Sequence, residues 1–272
     1  LNWRWPEINK GEAGLPEWFD TLKNKYQDWN IWVSSDLDEY EYNRGENLFK
    51  DIDIQRLEVK EKLHLSVSVR SFRSEKVSSF VKALLDYDSE ANEILSQLKG
   101  KYPICITRNI DKAKSWLRQK ARGTERTGVL ASSGGRRLKP YGVYAKNNID
   151  PRQWFLNDKD DVRSSFYLED VATEFDIQGL ELDWICLCWD LDLRISNQRW
   201  DYKEFKGTRW NNINDESKKL YLKNSYRVLL TRARQGMVIF VPEGNKRDYT
   251  RMPKSYDLIY DYLKNIGIEE LK

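Results

Sequence analysis

Histidine, cysteine and methionine are scarce in this chain: one, three and two residues among 272. The cysteines, Cys105, Cys186 and Cys188, all lie inside apolar runs. Three such thiols and a single histidine support neither a disulfide framework nor a zinc site, and they point to a reducing, cytoplasmic setting. Apolar runs long enough to span a bilayer are missing too, as is a charged-then-apolar leader, so no membrane partner is expected. Internal repeats, low-complexity tracts and a composition-marked linker are likewise absent. The chain opens on Leu1 rather than methionine, which suggests an excised fragment.

What is present is an ordinary globular composition, 40% hydrophobic and 33% charged, with a formal net charge of +3. That length can bury one large α/β core or two small ones. Eleven tryptophans are available as base-stacking platforms, although packing is the expected role for most of them. Charge is uneven: residues 36–61 hold nine acids and four bases, whereas 118–146 hold eight bases and the single acid Glu125. The second stretch is the expected seat of a polyanion.

Periodicity predicts a helix over Pro16 to Tyr26, a strand over Asn30 to Ser34 and a polar loop through Glu46. The alternation of Leu63, Leu65, Val67 and Val69 predicts a strand to Arg70, with His64 on its polar face. Helical spacing follows around Val77 to Leu85 and Ile94 to Leu98, then a strand over Tyr102 to Thr107, a helix over Asp111 to Arg122 and a strand over Gly128 to Ala131. Further strands are predicted at Phe166 to Val171, Trp184 to Trp189 and Met237 to Val241. A helix with Leu222, Tyr226, Leu229, Leu230 and Ala233 on one stripe lies between the last two. Strands alternating with helices predict a mostly parallel α/β sheet flanked by helices. The expected division is an N-terminal extension, 1–60, packed on a domain over 61–272.

Two segments carry the chemical signal. Residues Tyr226 to Arg234 end on Thr231-Arg232-Ala233-Arg234 and run into a strand. Residues Thr173 to Asp183 carry Gln178-Gly179-Leu180-Glu181 before another. A guanidinium at a helix end can stabilise charge developing on a transferred phosphoryl group, or it can simply favour the negative helix terminus. A glycine lets backbone approach a ligand, and a following carboxylate can accept ribose hydroxyls; the bland alternative is an ordinary loop with solvated acids. The two patterns stand about fifty residues apart, room for a strand, an insertion and a helix.

In this order the segments resemble motifs V and VI of UvrD-like superfamily 1 helicases. Phe72-Arg73-Ser74 is similar to motif IV of the same enzymes, with Arg70 a rival for its arginine. Arg108 and Asn109, ending the strand from Pro103, resemble the Arg/Asn pair near single-stranded nucleic acid, with the arginine one residue out of register. Over nearly the whole chain, Gly11 to Leu15, Leu130 to Arg137 and the two motifs resemble a helicase-like family related to the helicase part of Schlafen proteins.

The resemblance implies the second RecA-like half of a P-loop ATPase. Arg232 and Arg73 would act at the γ-phosphate, and Gln178, Gly179, Glu181 and Arg70 at the nucleotide. Thr173, Arg108, Asn109, Arg136 and Arg137 would contact DNA or RNA, expected to be single-stranded. ATP and Mg²⁺ would be held mainly by an N-terminal RecA-like half left off this chain. No Gly-x-x-x-x-Gly-Lys-Ser/Thr loop is present, since the nearest candidate, Gly123 to Gly128, is followed by Val129. Two other readings stay open: a nucleic-acid docking module that no longer couples to ATP, and a magnesium nuclease built on Asp36 or Asp38 with Glu58-Val59-Lys60.

Overall fold

The computed structural model describes residues 14–34, 49, 52–53, 55–60, 63 and 72–271. They belong to two compact units, Leu1–Val69 and Arg70–Lys272. In the first, helix α1 (Gly14–Asn24) is followed by strands β1 (Ile31–Val33) and β2 (Leu57–Val59), paired in parallel. Phe19, Ile31, Val33 and Ile52 form a small core. The Arg56 guanidinium donates to the Leu22, Tyr26 and Trp29 carbonyls at 3.2, 2.6 and 3.1 Å. It thereby satisfies the Leu22 acceptor that the end of α1 leaves open and ties down the turn that follows. The predicted strand beyond Leu63, the polar loop, His64, Arg70, Asp36, Asp38 and Gly11 to Ala13 lie outside the described residues.

The second unit is an α/β domain. Its elements are α2 (Phe72–Asp86), α3 (Ala91–Leu98), β3 (Ile104–Thr107), α4 (Ile110–Lys120), β4 (Thr127–Ala131), α5 (Pro151–Leu156), β5 (Val171–Ala172), β6 (Leu182–Cys188), β7 (Leu193–Ser196), β8 (Arg199–Lys206), β9 (Arg209–Asn212), α6 (Glu216–Leu230), β10 (Ala233–Phe240), α7 (Pro253–Asn265) and β11 (Glu269–Glu270). The six-stranded sheet runs β11-β3-β10-β6-β4-β5, and every pairing is parallel. This helix-flanked parallel sheet is a RecA-like arrangement.

Alternation along the central strands sorts their side chains to two faces. Met237, Ile239 and Val241 join Ile185, Leu187, Trp189 and Leu130 in one core, while Val238 and Phe240 join Cys186, Cys188, Val129 and Ala131 in the other. Both faces are apolar because helices cover both, which explains the unbroken apolar runs. α4 covers the second face through Ala113, Trp116 and Leu117. It starts where the Asn109 side chain accepts from the Lys112 amide at 3.0 Å. α6, opened by Asp215 accepting from the Lys218 amide, buries Tyr226, Leu229 and Leu230 in the first core. No helix among the described residues is long and apolar enough to cross a membrane.

Two elements differ from the sequence expectation, and the insertion, for which the sequence predicted no structure, is resolved into strands. Phe166 to Val171 is not a strand: Ser164 opens a 3₁₀ turn over Ser165–Tyr167, Leu168 adopts φ +62°, and only Val171–Ala172 pairs as β5. A left-handed residue cannot continue an extended strand. Ala233 leaves the helical stripe and opens β10 instead, because α6 ends at Leu230. The insertion after β6 is an antiparallel meander, β7-β8-β9. Its mixed aromatic and charged residues carry no clean two-residue period.

Two acids follow β6 into the interior. Asp190 is 0% exposed and Asp192 1%. Tyr256 donates its hydroxyl to Asp190 at 2.7 Å and the Arg137 amide donates at 2.8 Å. Asp192 accepts from the Tyr226 hydroxyl at 2.6 Å and from the Leu193 amide at 3.0 Å. Burial raises both carboxyls, and for Asp192 burial and the neighbouring Asp190 together push the value up to about 7.

The folded Asp192 holds its proton to higher pH than an unfolded aspartate, near 3.9. Stability therefore falls as pH rises from about 4 to about 7 and levels off above. Asp192→Asn should flatten that decline, read as melting temperature from pH 5 to 8; an unchanged slope would remove Asp192 as its source. At Gly236, a Cβ would lie 2.7 Å from both the Pro103 carbonyl oxygen and the Trp184 ring. Gly236→Ala should cost roughly 1–3 kcal/mol of stability by overpacking, measured by urea unfolding.

Candidate functional site

A parallel sheet has two chemically distinct ends, and the candidate residues divide between them. At the N-terminal ends, α6 closes on Thr231, whose hydroxyl donates to the Arg227 and Val228 carbonyls at 2.9 and 3.2 Å. The threonine thus satisfies two acceptors of the last turn. Arg232 comes next. Its own carbonyl accepts the Leu182 amide at 3.0 Å, and Ala233 pairs in register with Leu182. The arginine is half-buried, with its backbone fixed on one side by the helix end and on the other by the start of β6.

Leu182 directly follows Gly179-Leu180-Glu181, so the loop bearing Arg232 and the Gly-Leu-Glu turn sit side by side. Gly179 is exposed with φ +82°, and a Cβ there would meet nothing within 4 Å. The turn needs glycine for its backbone conformation, and the space beside it is open. Gln178 is exposed and Glu181 half-exposed.

Beyond Ala233 the register slips: Ala233 faces Leu182 but Gly236 faces Trp184, leaving Arg234 and Gln235 opposite Asp183 alone. A bulge of this kind redirects side chains. Here it turns both toward Asp183, which accepts from Arg234 at 2.9 Å and Gln235 at 3.2 Å, while its second oxygen accepts the Arg126 amide at 2.8 Å. Gln235 also donates to Glu125 at 2.7 Å, and the Trp184 indole does so at 3.0 Å. Those two hydrogen bonds, Gln235's first, hold the Glu125 carboxyl below its usual range. The Arg234 side chain is 57% exposed despite its partner.

Arg73 lies in the first turn of α2, and its side chain is outside the described residues. Arg70 is outside altogether. The structure brings the Arg232 backbone beside the strand that the Gly179 turn leads into.

The nucleic-acid candidates all follow strand C-terminal ends. Thr173, after β5, is buried and donates its hydroxyl and amide to Asp176 at 2.7 and 2.8 Å. After β3, Asn109 caps α4. Arg108 pairs with Asp257 at 2.7 Å, donates to the Pro242 carbonyl at 2.6 Å and lies 4.0 Å over the Tyr260 ring. After β4, Ser133 ties the loop to Glu174 through its amide and hydroxyl at 2.9 and 2.7 Å. Arg137 then pairs with Asp248 at 2.7 Å and sits 5.1 Å from the Phe205 ring centre. Arg136 is exposed. Arg108, Arg137 and Thr173 are therefore engaged inside the fold.

Sequence reading missed Asp183, Glu125 and Gln235 at one end and Asp190 and Asp192 at the other. For Asp190 and Asp192 a signal existed: two acids directly continuing the apolar run Trp184 to Trp189, which places carboxylates in a core. In the first unit, Glu58 pairs with Lys60 at 2.5 Å and accepts the Trp32 indole at 2.9 Å.

A family model described as Schlafen group 3, DNA/RNA helicase domain, matches residues 7–243. No match was found among curated proteins or among solved structures. The matched span takes in the β4 loop, the Gly-Leu-Glu turn, Arg232 and the whole of β10, and so the chain belongs to the Schlafen group 3 DNA/RNA helicase domain family.

Proposed function

We propose that this chain is the C-terminal motor half of a nucleic-acid-dependent ATPase of the superfamily 1 helicase type, and that Arg232 is its arginine finger. The observation that carries the reading is the fixing of Arg232 between a threonine-capped helix end and the amide following the Gly-Leu-Glu turn. A finger must be placed before charge develops on the transferred phosphoryl group, because reorganisation during the step would forfeit its benefit. A half-buried arginine on the loop that pairs with the strand after an open, left-handed glycine turn fits a triphosphate presented by a second domain. Gly179 would let ribose or phosphate approach the backbone, with Gln178 and Glu181 as hydrogen-bonding neighbours.

The chain's own sequence holds no Walker A loop. The other phosphate contacts and Mg²⁺ are therefore assigned to a partner RecA-like half, with Arg73 as a second cation toward the γ-phosphate and Arg70 as its rival. Mg²⁺ would neutralise charge on the bridged phosphate oxygens.

Single-stranded DNA or RNA would cross the opposite, C-terminal end of the sheet. Open α/β sheets bind ligands outside these strand ends, and Thr173, Arg108, Asn109, Arg136 and Arg137 follow three of them. Arg136 would meet the backbone, whereas Arg108, Arg137, Asn109 and Thr173, given their internal partners, would shape the surface.

Arg232→Ala, made in the polypeptide that joins this chain to a Walker A-bearing half, should lower the ATP hydrolysis rate by about a thousandfold or more. Binding of single-stranded nucleic acid should be retained. Hydrolysis at the unsubstituted rate would sink the finger and favour a docking module uncoupled from ATP.

A further inference from the structure

The meander β7-β8-β9 and the loop after β10 meet at the C-terminal end of the sheet, and their junction presents one aromatic ring. Tyr249 is 70% exposed. Its hydroxyl donates to the Thr208 carbonyl at 2.7 Å, in the turn between β8 and β9. One residue on, the Thr250 carbonyl accepts the Trp210 indole at 2.8 Å. Thr250 and Arg251 are also bound to Asp248, through the Thr250 amide at 3.0 Å and hydroxyl at 2.6 Å and the Arg251 guanidinium at 2.8 Å. An exposed tyrosine is in itself commonplace. This one differs in that its polar end is spent on a tether, so the ring is held in one place while remaining mostly in water.

The surroundings are cationic. Arg209, Lys246 and Arg247 are exposed on the two segments that the tether joins, with Glu243 the exposed acid of the second. Asp248 does not add free negative charge, because it pairs with Arg137 and Arg251 at 2.7 and 2.8 Å. The Arg137 pairing also brings in the β4 loop, where Arg136 is exposed. A fixed aromatic face among exposed cations matches a ligand that offers flat rings on an anionic backbone. Within a duplex both faces of each base are covered, so a splayed base of a single strand is the complementary form.

We infer that Tyr249 is a stacking platform for one base of single-stranded nucleic acid, with Arg136, Arg209, Lys246 and Arg247 on the flanking phosphates. The inference rests on the nucleic-acid part of the function proposed above and assigns it a residue outside the motif segments named above and outside the matched span 7–243. The ring supplies contact with any base, and the cations supply the salt-dependent part of the affinity.

The test is fluorescence anisotropy of the 272-residue chain with a labelled oligothymidylate, an oligouridylate, and an abasic strand of equal length. Tyr249→Ala should weaken binding to the base-bearing strands about fivefold to a hundredfold, leaving the abasic strand and the salt slope unaffected. Arg136→Ala should instead lower the salt slope, by about 0.7 for each lost phosphate contact. Tyr249→Phe, keeping the ring but not the tether, should lose less than Tyr249→Ala. Equal affinity of Tyr249→Ala and the unsubstituted chain for base-bearing strands overturns the platform and leaves the nucleic-acid reading intact. No binding by the unsubstituted chain overturns both. Should Tyr249→Ala fail to fold by circular dichroism, the unsubstituted chain decides alone: a 5-iodouracil strand crosslinked to Tyr249 supports the platform, and crosslinks confined to other residues refute it.

Discussion

One backbone hydrogen bond, from the Leu182 amide to the Arg232 carbonyl at 3.0 Å, sets the geometry of everything at the N-terminal end of the sheet. It joins the last residue before β10 to the first residue of β6, making neighbours of two segments far apart in sequence. The helix and the turn each constrain one side of this junction. Thr231 ends α6 by satisfying its last carbonyls, and the left-handed Gly179 reverses the chain just before β6. Neither device alone places a side chain. Together with the strand pairing they leave the Arg232 backbone little freedom.

The bulge beside this junction shows how the rest of the end is built around it. Had β10 run regularly, Arg234 and Gln235 would have faced opposite sides of the sheet. The extra residue lets both reach Asp183, and through Gln235 and Trp184 the network extends to Glu125, just ahead of β4. Three strand starts are thereby tied by side chains as well as by the ladder. Gly236 closes the bulge where the Pro103 carbonyl and Trp184 ring leave no room for a Cβ.

Much of this fold was legible in the sequence because the central strands are buried on both faces. β3, β4, β6 and β10 each contain a compact apolar run, Trp184 to Cys188 in β6 and Met237 to Phe240 in β10 among them, and α4 and α6 carry helical stripes between polar ends. The edges were harder. β5 and β11 have two residues each, too short for any period. The meander strand β8 has mostly half-buried residues with no alternation, and the Phe166 run contains the same residue types as a strand but is broken by a left-handed Leu168. Of the candidate site, the adjacency of Thr-Arg-Ala and Gly-Leu-Glu could be anticipated from their positions at strand starts. The bulge that aims Arg234 at Asp183 could not, since it depends on register between strands distant in sequence.

The same topology changes the meaning of the basic stretch over residues 118–146. Read along the sequence it is one polyanion site. In the fold, β4 passes through it, and five residues at about 3.3 Å each carry the chain across the sheet. Arg118, Lys120, Arg122 and Arg126 precede that strand, whereas Arg136, Arg137 and Lys139 follow it, so the two groups lie toward opposite ends. The first group is partly consumed: Arg126 lies over the Phe155 and Phe166 rings and donates to the Leu156 and Asn157 carbonyls, and Arg118 donates to the Tyr167 carbonyl. The second group meets cations from a different part of the chain, because Arg137 binds Asp248 and draws the loop carrying Lys246 and Arg247 alongside. A positive surface here is assembled by tertiary pairing between loops at one end of the sheet, and the linear charge run contributes only the half that happens to emerge there.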